Sequence, residues 1–409
     1  MQPSFTGSCK NLICFLININ LILLSMLYIL YSNDYEVFLG GNYLSETEIL
    51  IDTTEKVLSA CNNVGIPMTL FCDVACLWRY RKLGYSDFPD IVENQLRNAI
   101  KDGHDVQAHI HPHWFETNIE KKENGSCNYN YDLQKFLLGN WMLDDNDKFN
   151  DFIYDVFSRA KEYLEKLFTD VNSSYRCLAY RAGGYGIQPR TKKIFKALID
   201  TGYLIDSSIV PGMLMNSNVN RIDFTHLPQK GNYYISPKYD LEKVSSEGIF
   251  EIPIIASRKA RAILTKRIFN KLLQRLLGHR PTSYELAGYP IQSTNNTKPQ
   301  KARYIDRICK IANSIQHGWD MLELGYDVDR MVNLTRLYVD QFDFEDHDLF
   351  FSFSCHSKST DKISLVALES YHKKLEKIYN SKFRAITFQE AATILNLKST
   401  KSSYSQKGK

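Results

Sequence analysis

Glycine and proline are both scarce: 20 and 12 residues in a chain of 409, below the roughly 7% and 5% of average proteins. That excludes collagen-like repeats, low-complexity arrays and long flexible linkers. The body also lacks an excess of charge. Lys and Arg number 50 against 46 Asp and Glu, a net charge of +4. The last thirteen residues, 397–409, hold four lysines (Lys398, Lys401, Lys407, Lys409) and no acid. Without that Lys/Ser-rich tail, 46 basic residues face 46 acidic ones. A nucleic-acid surface needs basic charge gathered on one face, so no nucleic-acid partner is expected. The tail itself reads as a solvated, disordered terminus. A cysteine framework is missing as well. The nine cysteines (Cys9, Cys14, Cys61, Cys72, Cys76, Cys127, Cys177, Cys309 and Cys355) are odd in number, dispersed and without Cys-x-x-Cys repeats. They suit neither a disulfide scaffold nor a zinc ribbon; the expectation is buried thiols in a cytoplasmic protein.

With 44% hydrophobic and 23% charged residues, the chain is globular. Its length allows one large α/β barrel or two to three ordinary domains. The long apolar run Asn11–Ser32 follows Lys10, as in a signal peptide or a single span. No small-x-small cleavage site follows it, and Met26–Ser32 leads straight into acids that a barrel would place in its site. Residues 1–25 are therefore expected to be an extension or the product of a mis-assigned start. Membrane association or secretion is open only through residues 11–25.

From residue 26 to about 396, strand and helix patterns alternate. Strand segments (the short apolar run Met26–Ser32, then Pro67–Asp73, His104–Ile110, Cys177–Arg181, Tyr203–Asp206, Gly248–Pro253, Asp320–Leu324, Leu349–Ser354 and a last one from Arg384) are separated by helical periodicities. These lie at Glu46–Asn63, Pro89–Asp102, Asp132–Asp170, Pro189–Thr201, from about 325 to Gln341, Lys362–Tyr379 and Phe388–Leu395. Such alternation means βαβ units and a parallel sheet. The fold class is α/β, a distorted TIM-like (β/α)7 barrel, with insertions near 114–170 and 210–300. A helical stripe in the basic segment Arg258–Arg280 reads as a solvated helix over the barrel. Barrel chemistry sits at the C-terminal ends of strands. The ionisable residues there are Asp34, Glu36, Asp73, His109 to His113, Arg181, Asp206 and His356.

Four of the ten histidines fall within Gly103–Trp114, at His104, His109, His111 and His113. Imidazole is the commonest biological metal ligand. In an extended strand His109 and His113 would stand roughly 13 Å apart at ~3.3 Å per residue, too far to share an ion. If the chain turns after His109, the two form an i,i+4 pair, with His111 pointing elsewhere, toward substrate or a supporting contact. A catalytic zinc usually takes three protein ligands. Asp34-Tyr35-Glu36 offers two carboxylates at i,i+2, one to bind metal and one to abstract a proton.

In order and spacing these residues resemble the polysaccharide deacetylases (NodB homology, carbohydrate esterase family 4), in a branch with His-x-His-Pro-His-Trp. The matching stretches are Asp34-Tyr35-Glu36; Gly103-His104-Asp105 with His109 and His113; Arg181-Ala182-Gly183-Gly184-Tyr185-Gly186; Gly202 to Ser208; and the apolar strand ending at Cys355-His356. The resemblance implies Asp34 as base, Glu36, His109 and His113 as metal ligands, Arg181 orienting Asp34, His356 as general acid and Asp206 tuning the acid side. His111, Trp114 and Tyr185 are candidates for substrate contact. Departures are Glu36 for the usual Asp, Gly183 for Pro, and a third histidine. The implied cofactor is one divalent metal, zinc ahead of cobalt, nickel or manganese. The implied reaction is removal of acetyl groups from an N- or O-acetylated sugar of a glycan. Alternatives are an allantoinase-like amidohydrolase and a catalytically silent glycan-binding protein on the same scaffold.

Overall fold

The computed structural model describes residues 25–38, 44–123, 125–142, 145–216, 221–257, 320–342 and 347–398. What was expected of residues 1–24, of the basic segment and of most of the tail lies outside these. The strands in chain order are β1 (Leu27–Tyr35), β2 (Thr69–Asp73), β3 (Asp105–Ile110), β4 (Asn118–Lys121), β5 (Cys127–Asn130), β6 (Ala179–Ala182), β7 (Ile205–Asp206), β8 (Leu214–Asn216), β9 (Arg221–Asp223), β10 (Tyr233–Ile235), β11 (Ile249–Glu251), β12 (Ala256–Ser257), β13 (Asp320–Met321), β14 (Leu349–Cys355) and β15 (Phe383–Ala385).

The main sheet runs β10-β11-β7-β6-β3-β2-β1-β14, with β15 also on β1. From β11 through β14 every pairing in that order is parallel, seven strands along the path; β15 adds a further parallel strand on β1, and β10 joins antiparallel. All nine residues of β1 and all seven of β14 are buried, as expected of strands covered on both faces. Short bridges close the curl. Ile254 N–H donates to Ile209 O on one side, and Ile255 N–H to Ser352 O on the other. Glu323 bridges Ser354. The fold is thus the distorted TIM-like (β/α)7 barrel that the alternation predicts.

Helices follow the strands: α1 (Asp52–Asn62), α2 (Val74–Lys82), α3 (Asp87–Lys101), α4 (Asn146–Phe168), α5 (Thr191–Asp200), α6 (Val328–Val339), α7 (Lys362–Tyr379) and α8 (Phe388–Ile394). Helix α8 lies under the barrel: Phe388 and Ala391 join Leu30, Phe71, Ile205 and Phe350 in one buried cluster. Two expectations change. Helix α2, directly after β2, had no counterpart in the sequence pattern. The helix expected from Asp132 begins only at Asn146, where extended Asp145 accepts a hydrogen bond from Lys148 N–H, an N-cap that sets the start. Before it come the β4–β5 hairpin and short 3₁₀ turns. Cys61, Cys72, Cys76, Cys127, Cys177 and Cys355 are buried and unpaired. No helix among the described residues is long and apolar enough to cross a membrane.

Candidate active site

Period-two alternation decides which side chains enter the barrel. In β1, Leu27, Ile29 and Tyr31 belong to the large core shared with the surrounding helices, whereas Tyr28 and Leu30 join the inner cluster. The same alternation carries Ser32 and Asp34 inside above Leu30, Arg181 above Ala179, and Ser352 above Phe350. In β3, Val106, Ala108 and Ile110 pack outward, so Gln107 and His109 face in. Register then sets neighbours: Asp73 lies opposite His109, and His109 opposite Arg181.

Arg181 is fully buried and all five of its N–H groups are used. Nε donates to Ser207 O at 3.0 Å. Nη1 donates to Ser32 Oγ at 2.8 Å and Asp34 Oδ1 at 2.7 Å. Nη2 donates to Ser207 Oγ at 3.0 Å and Ser352 Oγ at 2.7 Å. The guanidinium also lies 4.2 Å from the Phe71 ring centre. Burial pushes the Asp34 carboxyl up, but Arg181, then His109 and His356, outweigh it and hold it below the usual range. Asp34 is therefore an ionised carboxylate with Oδ1 tied down and Oδ2 turned toward His356.

Glu36, His109 and His111 converge, with one ligand atom of each lying within 4.8 Å of the others. Glu36 Oε2 is 2.7 Å from His111 Nε2 and 3.6 Å from His109 Nε2. His109 Nδ1 is 2.9 Å from Arg181 O. Because a carbonyl only accepts, Nδ1 carries a proton there, and the buried Nε2, which has no hydrogen-bond partner, is the ring atom that faces Glu36. A backbone carbonyl on the far nitrogen is how metal-binding histidines are oriented. Two imidazoles and a carboxylate in this arrangement fit a divalent cation. Glu36 is held ionised: burial raises its pKa, but Lys358 and the two histidines lower it well below the ordinary value.

The expected i,i+4 pair is not what the fold brings together. His111 is still extended, at φ −106° and ψ 109°, so strand alternation runs one step past β3 and places His109 and His111 on the same face. The chain turns only at Pro112, in the 3₁₀ turn Pro112–Phe115. His113 is thereby sent among Trp114, Tyr131 and Phe136. Burial, and then His111, push its pKa down to about 2. Gly183 explains how His111 fits. A Cβ there would lie 2.5 Å from His111 Nδ1, and Phe136 stacks on the ring with centroids 4.4 Å apart. Asp73 Oδ1 accepts the His111 N–H at 3.3 Å; burial raises its pKa despite both histidines.

His356, at the end of β14, has Nε2 at 3.6 Å from Asp34 Oδ2 and 3.7 Å from Glu36 Oε1. Its Nδ1 is 3.5 Å from Glu323 Oε1. Burial lowers its pKa, but Glu323 and then Asp34 outweigh that, and the net shift is upward. Glu323 was missed in the sequence, where it follows a two-residue strand and no long apolar run; its only signal was a place at the end of the expected Asp320–Leu324 strand. Asp206, expected on the acid side, instead accepts from Ser208 N–H and Oγ at 3.0 and 2.8 Å and pairs with Glu251. Trp114 is 1% exposed, packed between Tyr80 and Tyr129, and so does not wall a subsite. Tyr185 is half-buried at a φ of 61°, and burial, then Asp34 and Glu323, raise its phenol pKa.

No protein-family model matches the chain, and no curated protein does. Several solved structures resemble it. One described as a polysaccharide deacetylase from Mycobacterium smegmatis is 11% identical, covers 91% of this chain and 91% of that one, and has a TM-score of 0.43. A 4-alpha-glucanotransferase from Thermococcus litoralis is 12% identical over 91% of this chain and 41% of its own, at 0.41. Puue allantoinase is 11% identical over 90% and 89%, at 0.39. At such identities and scores they say nothing of the chemistry.

Proposed function

We propose that this chain is a divalent-metal-dependent hydrolase that removes acetyl groups from an acetylated glycan. The observation that carries the hydrolase reading is the meeting of Glu36, His109 and His111 beside the Arg181–Asp34 pair and His356. The acetyl substrate rests on the order of the sequence motifs. A cation held by Glu36, His109 and His111 would polarise the acyl carbonyl and acidify water. Asp34, kept ionised by Arg181, takes the proton of the attacking water on Oδ2, its oxygen not committed to the guanidinium. His356, held protonated by Glu323 and Asp34, delivers a proton from Nε2 to the leaving amine or alkoxide. Glu323 acts through His356 by orienting the ring from Nδ1. The contacts to His356 are longer than hydrogen bonds, as is common before substrate tightens a site.

The test is metal analysis of the purified chain with acetate release from a panel of N- and O-acetylated glycans, and with ureides as a parallel substrate. One zinc-like ion per chain and acetate release are expected. Asp34→Asn should cut turnover by ~10²-fold or more with metal retained, and Glu323→Gln should lower kcat more than it raises KM. Full activity of the metal-free protein, or ureide hydrolysis without acetate release, would refute the reading.

A further inference from the structure

Lys358 has no part in the chemistry above, yet its charge is spent at the candidate metal site. Its side chain is 9% exposed. Nζ donates to Glu36 Oε1 at 2.8 Å and to Val37 O at 3.0 Å, and lies 5.5 Å from the Phe38 ring centre. The placement is built into the backbone. After β14 the chain makes the 3₁₀ turn Ser357–Ser359. Ser357 N–H donates to Asn33 Oδ1 at 2.9 Å, and its Oγ accepts from Thr54 Oγ at 2.8 Å. That turn pins the next residue against the end of β1.

The two oxygens of Glu36 are therefore divided: Oε1 belongs to the ammonium and Oε2 faces the imidazoles. We propose that Lys358 sets the metal preference of this site. By holding Oε1 it leaves an arriving cation one carboxylate oxygen and two imidazole nitrogens, and its positive charge opposes any ion bound there. Manganese, magnesium and calcium favour oxygen-rich and often bidentate coordination. Zinc, cobalt and nickel take imidazole well and tolerate the loss of one oxygen. The ammonium thus works against the hard ions more than against the imidazole-loving ones. This rests on the metal-site reading above.

The test is calorimetric titration of the chelator-stripped full chain with Zn(II) alone and Mn(II) alone at one pH. Lys358→Met is expected to tighten Mn(II) by about tenfold or more and Zn(II) by less, narrowing the preference for zinc. Lys358→Arg, which keeps the charge, should keep the wild-type preference. Lys358→Gln, with a polar end for Val37 O, gives the same readout if Lys358→Met fails to fold. Wild-type zinc binding of one per chain, with manganese binding unchanged or weaker in the Met and Gln variants, overturns the role of Lys358 alone. A wild-type chain that binds neither ion removes the site, and the hydrolase reading with it.

Discussion

At the scale of single residues, the site depends on groups with no reactivity of their own. Gly183 stands where the resemblance led to an expectation of proline. The sequence offered this only as a departure from the family pattern. In the fold it is a space requirement, because the His111 imidazole occupies the volume a Cβ would take. Phe136 stacks on the ring and blocks a simple retreat. Gly183→Ala is expected to tilt His111 away from Glu36 and weaken zinc binding by about tenfold or more, the scale on which supporting contacts act on metal sites. Isothermal titration of the variant, with circular dichroism confirming its fold, checks this. Unchanged zinc affinity would mean that His111 is not a ligand.

At the scale of elements, most of the barrel could be read in advance and the site only in part. Helix α7 matches the periodicity at both ends, and Asp361 and Ser364 form a capping box at its start. The buried strands β1 and β14 were visible as apolar runs. Helix α2 was hidden because Val74-Ala75-Cys76-Leu77 resumes the apolar character of β2 after the single charged residue Asp73. The histidine pairing depended on whether the strand ends at His109 or two residues later, and apolar pattern leaves such ends open by a few residues. Glu323 faces His356 only because the chain after residue 320 returns alongside β14.

Strands β7 and β11 carry another feature that no single stretch reveals. Asp206 and Glu251 are register partners, both fully buried. Burial lifts the Asp206 pKa to about 6 and pushes Glu251 well above its ordinary value. Two carboxyls so placed share a proton, with neutral Glu251 donating to Asp206. Acids whose folded pKa is raised stabilise the fold at pH below their unfolded value, and that stability is lost as pH rises through the folded pKa. Wild-type stability should therefore fall as pH rises from about 4 through about 6, where Asp206 titrates, and go on falling as Glu251 loses its proton. Glu251→Gln keeps a donor and removes a proton, so its curve should be flatter than wild type and lie above it at the alkaline end. Urea unfolding across this range measures both; parallel curves for the two proteins would contradict a shared proton.

At the scale of the whole molecule, the candidate ligands come from the ends of β1 and β3, and the groups around them from β6 and β14. Residues far apart in sequence meet because the sheet brings these strands side by side. Unfolding separates them, so a cation that needs all three ligands binds the folded chain and not the unfolded one. Stabilisation then follows mass action, about 2.7 kcal/mol at a free concentration 100 times Kd. For a domain of this size that moves Tm by roughly 3–8 °C. Zinc should raise the Tm of stripped protein by this order and a chelator should reverse it, as read by calorimetry. Glu36→Gln supplies the control: it removes the carboxylate, should erase the zinc-dependent increment, and should leave the barrel folded. An equal zinc response in wild type and Glu36→Gln would mean that the ion binds elsewhere on the chain.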